Sequence, residues 1–195
     1  MTAGPTIFNA GYQKGNYFLV DAGAQALAFD VGWPGTLNEY GRRLRPTGKR
    51  VRDIGHLIVS HFHPDHAGLA QELKEQGARF IVFDFQPVFI EAMERIIEKS
   101  MTYRRLVRAD IHILTIAESR RFLRTLGLAG EVVHTPGHTD DSVSLLLDTG
   151  DVFTGDLQPE SRLMETEVKS LGSWARLRSL GAKRVHPGHG PDFDL

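Results

Sequence analysis

The chain has 195 residues, 41% hydrophobic and 24% charged, the range of one globular domain with a buried core. Its formal net charge of -1 argues against holding nucleic acid or an anionic membrane by bulk electrostatics, and the absence of cysteine excludes disulfides, thiolate metal sites and a thiol nucleophile. Neither a secretory leader in residues 1–30 nor an apolar run of about 18 residues is found, so a soluble, cytoplasmic protein without a membrane partner is expected.

In chain order, NYFLV (16–20) and QALAFD (25–30) read as two apolar strands of a hairpin, with Gly23 suited to the turn. The basic runs GRRLRPTGKRVR (41–52), RRLVR (104–108) and RRFLR (120–124) read as solvated faces rather than as a polyanion site. IGHLIVS (54–60) is a buried strand leading directly into SHFHPDHAGL (60–69); AGLAQELKEQG then has helical spacing up to Gly77, and RFIVF (79–83) is the next strand.

From Gln86 to about Arg108, Phe89, Met93, Ile96 and Ile97 recur at three- and four-residue steps, which predicts a helix. This helical insert around 85–108 interrupts the regular alternation. It is the candidate substrate lid, with Met101 and Tyr103 near its end as contacts and Phe89, Met93 and Ile97 as packing residues. Next come a strand in IHILT (111–115), a helix in ESRRFLRTLG (118–127) and strands in EVVHT (131–135), SVSLLLD (142–148) and DVFTGD (151–156), the last two a hairpin across TG. A helix near 172–180 and a strand in KRVHPGHG close the chain. Alternating strands and helices predict α/β layers in a single domain over 1–195.

His61, His63, Asp65 and His66 crowd into six positions, and packing does not account for them, because such groups lose hydration on burial unless a charge or hydrogen bond replaces it. A metal ion is the natural replacement. If the segment after strand 54–60 stays extended, His61 and His63 project to one side and can grip one ion. Asp65 and His66 stand where a helix begins, set to hold a second; Asp65 alone would read as an N-cap, but three histidine neighbours reverse that balance.

Three later clusters repeat the pattern of strand, tight turn and ligand-type residue: HTPGHTDDS with His134 and His138, FTGD with Asp156, and HPGHG with His186 and His189. Loops at one edge of α/β layers can converge, and one site built from all four clusters is the inference. His56 and His112, inside predicted strands, read as packing or surface residues. His134 and His186 could orient a ligand or the substrate, and Asp140 and Asp141 could accept hydrogen bonds near the site or open the next strand. With nitrogen and oxygen donors only, zinc fits first, and iron or manganese are possible.

H-x-H-x-D-H followed in order by TPGH, TGD and PGHG resembles the metallo-β-lactamase superfamily, over about residues 6 to 190, and within it most nearly the glyoxalase II-type hydrolases. The resemblance implies a four-layer αβ/βα sandwich, two mixed β-sheets flanked by helices, with the site along one edge. It implies that His61, His63 and His138 bind one divalent metal, that Asp65, His66 and His189 bind a second, and that Asp156 bridges both. The expected enzyme is a dinuclear metal-dependent hydrolase of a thioester, ester or lactone of a small molecule. Its charge balance stays positive after Asp65, Asp156 and a metal-bridging hydroxide are counted, which suits a lowered water pKa and a developing oxyanion; Asp65 would orient that hydroxide.

Departures narrow the expectation. The chain stops six residues past His189, so the C-terminal glutathione-binding domain of familiar glyoxalase II enzymes is not expected, and Pro159 stands where lactonases of the superfamily place a tyrosine. Alternatives are a phosphodiesterase or nuclease of the superfamily and a mononuclear-iron enzyme resembling the persulfide dioxygenases. Flavodiiron electron transfer fits poorly because such relatives carry glutamate where His63 stands, and β-lactam hydrolysis fits poorly with a glyoxalase-like ligand set.

Overall fold

The structure is a computed structural model that describes residues 4–23, 25–98 and 103–195. Its first sheet runs in spatial order β1 (Thr6–Asn9), β2 (Phe18–Asp21), β3 (Ala26–Phe29), β4 (Ile54–Ile58), β5 (Arg79–Phe83) and β6 (His112–Leu114). The first three strands are antiparallel and β3 to β6 are parallel. The second sheet has the order β11 (Phe193–Asp194), β10 (Arg184–Pro187), β9 (Asp151–Gly155), β8 (Val143–Leu147) and β7 (Gly130–His134), with only β9 and β10 parallel.

Side-chain alternation then dictates the layers. In β2, Phe18 and Val20 point into the space between the sheets while Leu19 points outward, and β3 and β5 divide in the same way. The inner set meets Val143, Leu145, Leu147 and Phe153 of the second sheet. The outer face of the first sheet packs Tyr40 and Leu44 of α1 (Leu37–Leu44), Ala67 of α2 (Pro64–Ala67), Leu73 of α3 (Ala70–Glu75) and Ile90, Met93 and Ile97 of α4 (Pro87–Ile97). The second sheet packs Trp174 and Leu177 of α6 (Val168–Ser179), while Leu123 of α5 (Ser119–Thr125) joins the inner core. Strands buried on both faces read as continuous apolar runs, which is why most were visible in the sequence. The result is the expected sandwich, helix, sheet, sheet, helix.

Two helices differ from their sequence expectation. The helix expected through Arg108 ends at Ile97, and residues 103–107 run without regular structure; Met101 lies outside the described residues. The helix expected near 172–180 begins at Val168, and part of the basic run 41–52 lies on α1. Among the described residues no helix is long and apolar enough to cross a membrane.

Candidate metal centre

Strands β3, β4, β7, β9 and β10 all present their C-terminal ends to one edge of the sandwich, where loops of parallel strands gather. Two hydrogen bonds lock the edge together: Val143 N–H donates to the Ser60 carbonyl at 2.8 Å and Gly188 N–H to the Gly155 carbonyl at 2.7 Å. His63 is extended at the cap position of α2, and Pro64 opens the helix where a missing N–H costs nothing. Asp65 and His66 therefore fall in its first turn, so Asp65 is not the cap.

Two glycines make the approach possible. Gly155, at φ +53°, passes so close that a Cβ would lie 2.3 Å from Ser60 Oγ, and a Cβ on Gly188 would lie 2.6 Å from Asp156 Oδ1. The TGD and PGHG turns thus need glycine in order to press Asp156 and His189 against His66.

All seven sequence-predicted ligand residues come together. The His138 ring centroid is 4.8 Å from those of both His61 and His63, and the His66 ring is 4.4 Å from His61 and 5.4 Å from His189. Donor atoms within 4.8 Å of one another form three groups: His61, His63 and His138; His61, His66 and Asp156; and Asp65, His66 and His189. Asp156 stands between them, with Oδ2 3.6 Å from His138 Nε2 and Oδ1 3.1 Å from His66 Nε2 and 3.5 Å from His189 Nε2.

Three of the five imidazoles, those of His61, His66 and His189, are held by their outer nitrogens, while His63 Nδ1 and His138 Nε2 face each other at 3.1 Å. Ser60 Oγ donates its proton to Asp30 Oδ2 at 2.8 Å and so receives His61 Nδ1–H at 2.9 Å. Asp30 Oδ2 also receives His66 Nδ1–H at 2.9 Å, and the Lys14 carbonyl receives His189 Nδ1–H at 2.8 Å. Each anchor fixes the tautomer and turns a bare Nε2 inward, the arrangement that metal-binding histidines require.

What the inward atoms lack is a partner. His61 Nε2, His66 Nε2 and Asp156 Oδ1 are buried with no hydrogen-bond partner among the described residues, and each such atom costs about 1–3 kcal/mol. The electrostatics point the same way. Burial, helped by the surrounding imidazoles, pushes the His61 pKa well below its ordinary value. For His66 burial acts in the same sense, but Asp30 and Asp156 outweigh it and hold the pKa well above ordinary. A cation resolves both: it pairs with the lone pair on His61 and neutralises the carboxylates that His66 faces. The donor set, all nitrogen and oxygen, therefore fits a metal ion.

Several residues took other roles or went unforeseen. Asp30, buried at φ +61° at the end of β3, carries the centre's outer hydrogen bonds, although its only mark in the sequence is an acid closing an apolar strand. Asn16 donates to the carbonyls of Pro187 and Gly190, both at 2.8 Å, and pins the turn bearing His189. His186 lies between Asp151 at 3.0 Å and Asp192 at 2.9 Å and stacks on Phe153, bracing the same turn. His134 donates to the Asp140 carbonyl at 2.9 Å and packs on Phe85. Asp140 pairs with Lys169, whereas buried Asp141 accepts the Phe62 N–H at 2.8 Å and steadies the segment between His61 and His63. Tyr103 packs into the outer core and donates to Glu94, and His56 is buried against Phe122.

The family model described as "Metallo-beta-lactamase superfamily" matches residues 10–78. A "Beta-lactamase-like protein 2 homolog" of Drosophila melanogaster is 28% identical over 191 residues, 91% of this chain, which spans 59% of the fly protein's length. "Probable metallo-hydrolase MJ0888" of Methanocaldococcus jannaschii is 25% identical over 92% of this chain and 89% of its own length. "Thioesterase pkgB" of Emericella nidulans is 26% identical over 91% of this chain and 46% of its own. Among solved structures, a metallo-beta-lactamase family protein of Thermus thermophilus, TTHA1429, superposes with a TM-score of 0.72 at 21% identity, covering 97% of this chain and 74% of that one, a likeness of fold.

Proposed function

The chain belongs to the metallo-β-lactamase superfamily, and on that premise we propose that it is a metal-dependent hydrolase cleaving a thioester, ester or lactone bond of a small molecule. The observation that carries this reading is the set of imidazoles anchored through Nδ1 with Nε2 turned toward unpaired carboxylate oxygen. His61, His63 and His138 would hold one divalent cation, Asp65, His66 and His189 a second, and Asp156 would reach both, with zinc the best match to the donors. When bound, the cations supply Lewis acidity that lowers the pKa of water and polarises a carbonyl.

The chain's own part is to orient and to move a proton. Asp65 Oδ2, 3.3 Å from His189 Nε2, is the acceptor we assign to the attacking water. For a thioester, the water oxygen forms the new C–O bond, the C–S bond breaks, and the proton taken by Asp65 passes to the leaving sulfur, giving an acid and a thiol. The relative named as a thioesterase favours this bond among the three, and the near-neutral charge disfavours a nucleic-acid substrate.

Elemental analysis of the purified protein, paired with thioester, lactone and phosphodiester substrates, tests the reading. The expected result is metal near two equivalents and turnover of a carbonyl substrate that is lost on chelation and restored by zinc. Turnover of the phosphodiester alone would overturn the substrate class.

A further inference from the structure

We propose that the cavity beside His189 receives the acyl group of the substrate, an unbranched apolar chain, so that the enzyme selects its substrates by acyl length. The proposal rests on the hydrolase reading above and names the substrate class for the same centre.

The cavity has a volume of about 640 Å³, inside the range of roughly 300–1,000 Å³ usual for small-molecule sites. His189 is among its lining residues, and its Nε2 lies 3.3 Å from Asp65 Oδ2 and 3.5 Å from Asp156 Oδ1, so the cavity adjoins the candidate centre on that side. Pro159, Trp174, Pro191 and Phe193 contribute its walls. The indole of Trp174 is fully buried behind this wall and donates Nε1–H to the Gln158 carbonyl at 2.8 Å, so it backs the cavity without leaving a polar atom free there. Phe193 packs at 6.2 Å from that indole.

The charged groups of the lining do not call for a polar ligand. Arg178 is paired with Glu160, Asp194 is paired with Arg184 at 3.0 Å, and Arg162 lies on the exposed surface, where its charge stays in water. A pocket whose wall is more apolar than polar, with Pro159, Pro191 and Phe193 in it and a ligand-type histidine in its lining, suits a substrate that is apolar along its length and reactive at one end. Pro159 sharpens this: it brings an apolar ring without a hydroxyl three residues after Asp156.

The test uses the metal-loaded protein and thioesters of N-acetylcysteamine running from acetyl to decanoyl. Each added methylene is expected to raise kcat/KM about threefold to fourfold, chiefly through KM, until the cavity is filled. Ser161→Trp fills the cavity from an exposed wall position and should flatten that rise below twofold per methylene, while Phe193→Ala should move the optimum to longer chains. Thermal unfolding checks that both variants fold. Titration calorimetry with decanoate reads the pocket without turnover: it should bind the wild type and bind Ser161→Trp at least tenfold more weakly. If no thioester is cleaved yet decanoate shows this difference, the pocket stands and the thioester assignment falls. If thioesters are cleaved without length dependence, or Ser161→Trp keeps the wild-type dependence, the pocket proposal is overturned.

Discussion

His56 sits in the middle of β4 and His61 three residues beyond its C-terminal end, both buried, yet only His61 faces the candidate centre. Each has a ring nitrogen without a partner among the described residues, Nδ1 on His56 and Nε2 on His61. The difference lies in what surrounds them. His56 lies against Phe122 with Arg79 and His112 as its charged or chargeable neighbours, so nothing there rewards a cation. His61 has its outer nitrogen anchored through Ser60 to Asp30 and its inner nitrogen turned toward the imidazoles and carboxylates gathered at the ends of β4, β7, β9 and β10. Burial of a histidine therefore says little by itself; the anchored tautomer and the carboxylates within reach separate a ligand from a packing residue.

The strongest way to break this contrast is at the shared carboxylate. Asp156→Asn keeps the shape and removes the charge that lies between His138 on one side and His66 and His189 on the other. Turnover at saturating metal should fall about a hundred- to thousand-fold, the scale at which a single charge-stabilising group matters in a catalytic site. A steady-state assay returning more than a third of wild-type kcat would remove Asp156 from the centre's chemistry.

A smaller effect is expected one step outward. Asp30 touches no proposed metal, but its Oδ2 receives His66 Nδ1–H and the Ser60 hydroxyl, and Oδ1 receives the Ser60 N–H at 2.6 Å. Asp30→Asn should weaken metal binding about 10- to 100-fold, as loss of such orienting partners typically does. Competition with a chromophoric chelator measures this directly. An unchanged affinity, in a variant whose unfolding midpoint is also unchanged, would mean that the anchors do not set the inward nitrogens.

What was legible in the sequence follows from the same physics. His61, His63, Asp65 and His66 could be singled out because so many polar groups beside a buried strand are costly unless something binds them. Double-faced strands such as RFIVF were equally plain, since both faces meet apolar layers. Asp30 was hidden because an acid closing a strand looks the same whether it faces water or a histidine. The first turns of α6 were missed because Val168 is 72% exposed and the residues turned inward include Ser170 and Ser173. The helix after Gln86 was overextended because residues 98–108 contain neither glycine nor proline to mark its end. The cavity beside His189 is drawn from three separated segments, and no spacing joins Pro159, Trp174 and Phe193 before the chain folds.

The mildest test works on His56. Burial holds its pKa below the ordinary imidazole value, and Arg79 and His112 push in the same direction. As pH falls through about 6.5 the unfolded chain takes up a proton that the folded chain refuses, so stability drops, and the loss ends once the folded group also protonates. His56→Leu removes this one contribution and leaves the titration of the metal centre common to both proteins. Urea unfolding at pH 7.5 and at pH 5.5 should therefore show the variant gaining on the wild type as the medium becomes acid, with kcat/KM at pH 7.5 within about twofold of the wild type. A stability difference independent of pH would mean that His56 takes up its proton in the fold as readily as in the unfolded chain, and a variant that loses on the wild type in acid would mean that the fold favours the protonated ring. A large loss of turnover would mean instead that the middle of β4 is coupled to the centre, and the two histidines would no longer contrast.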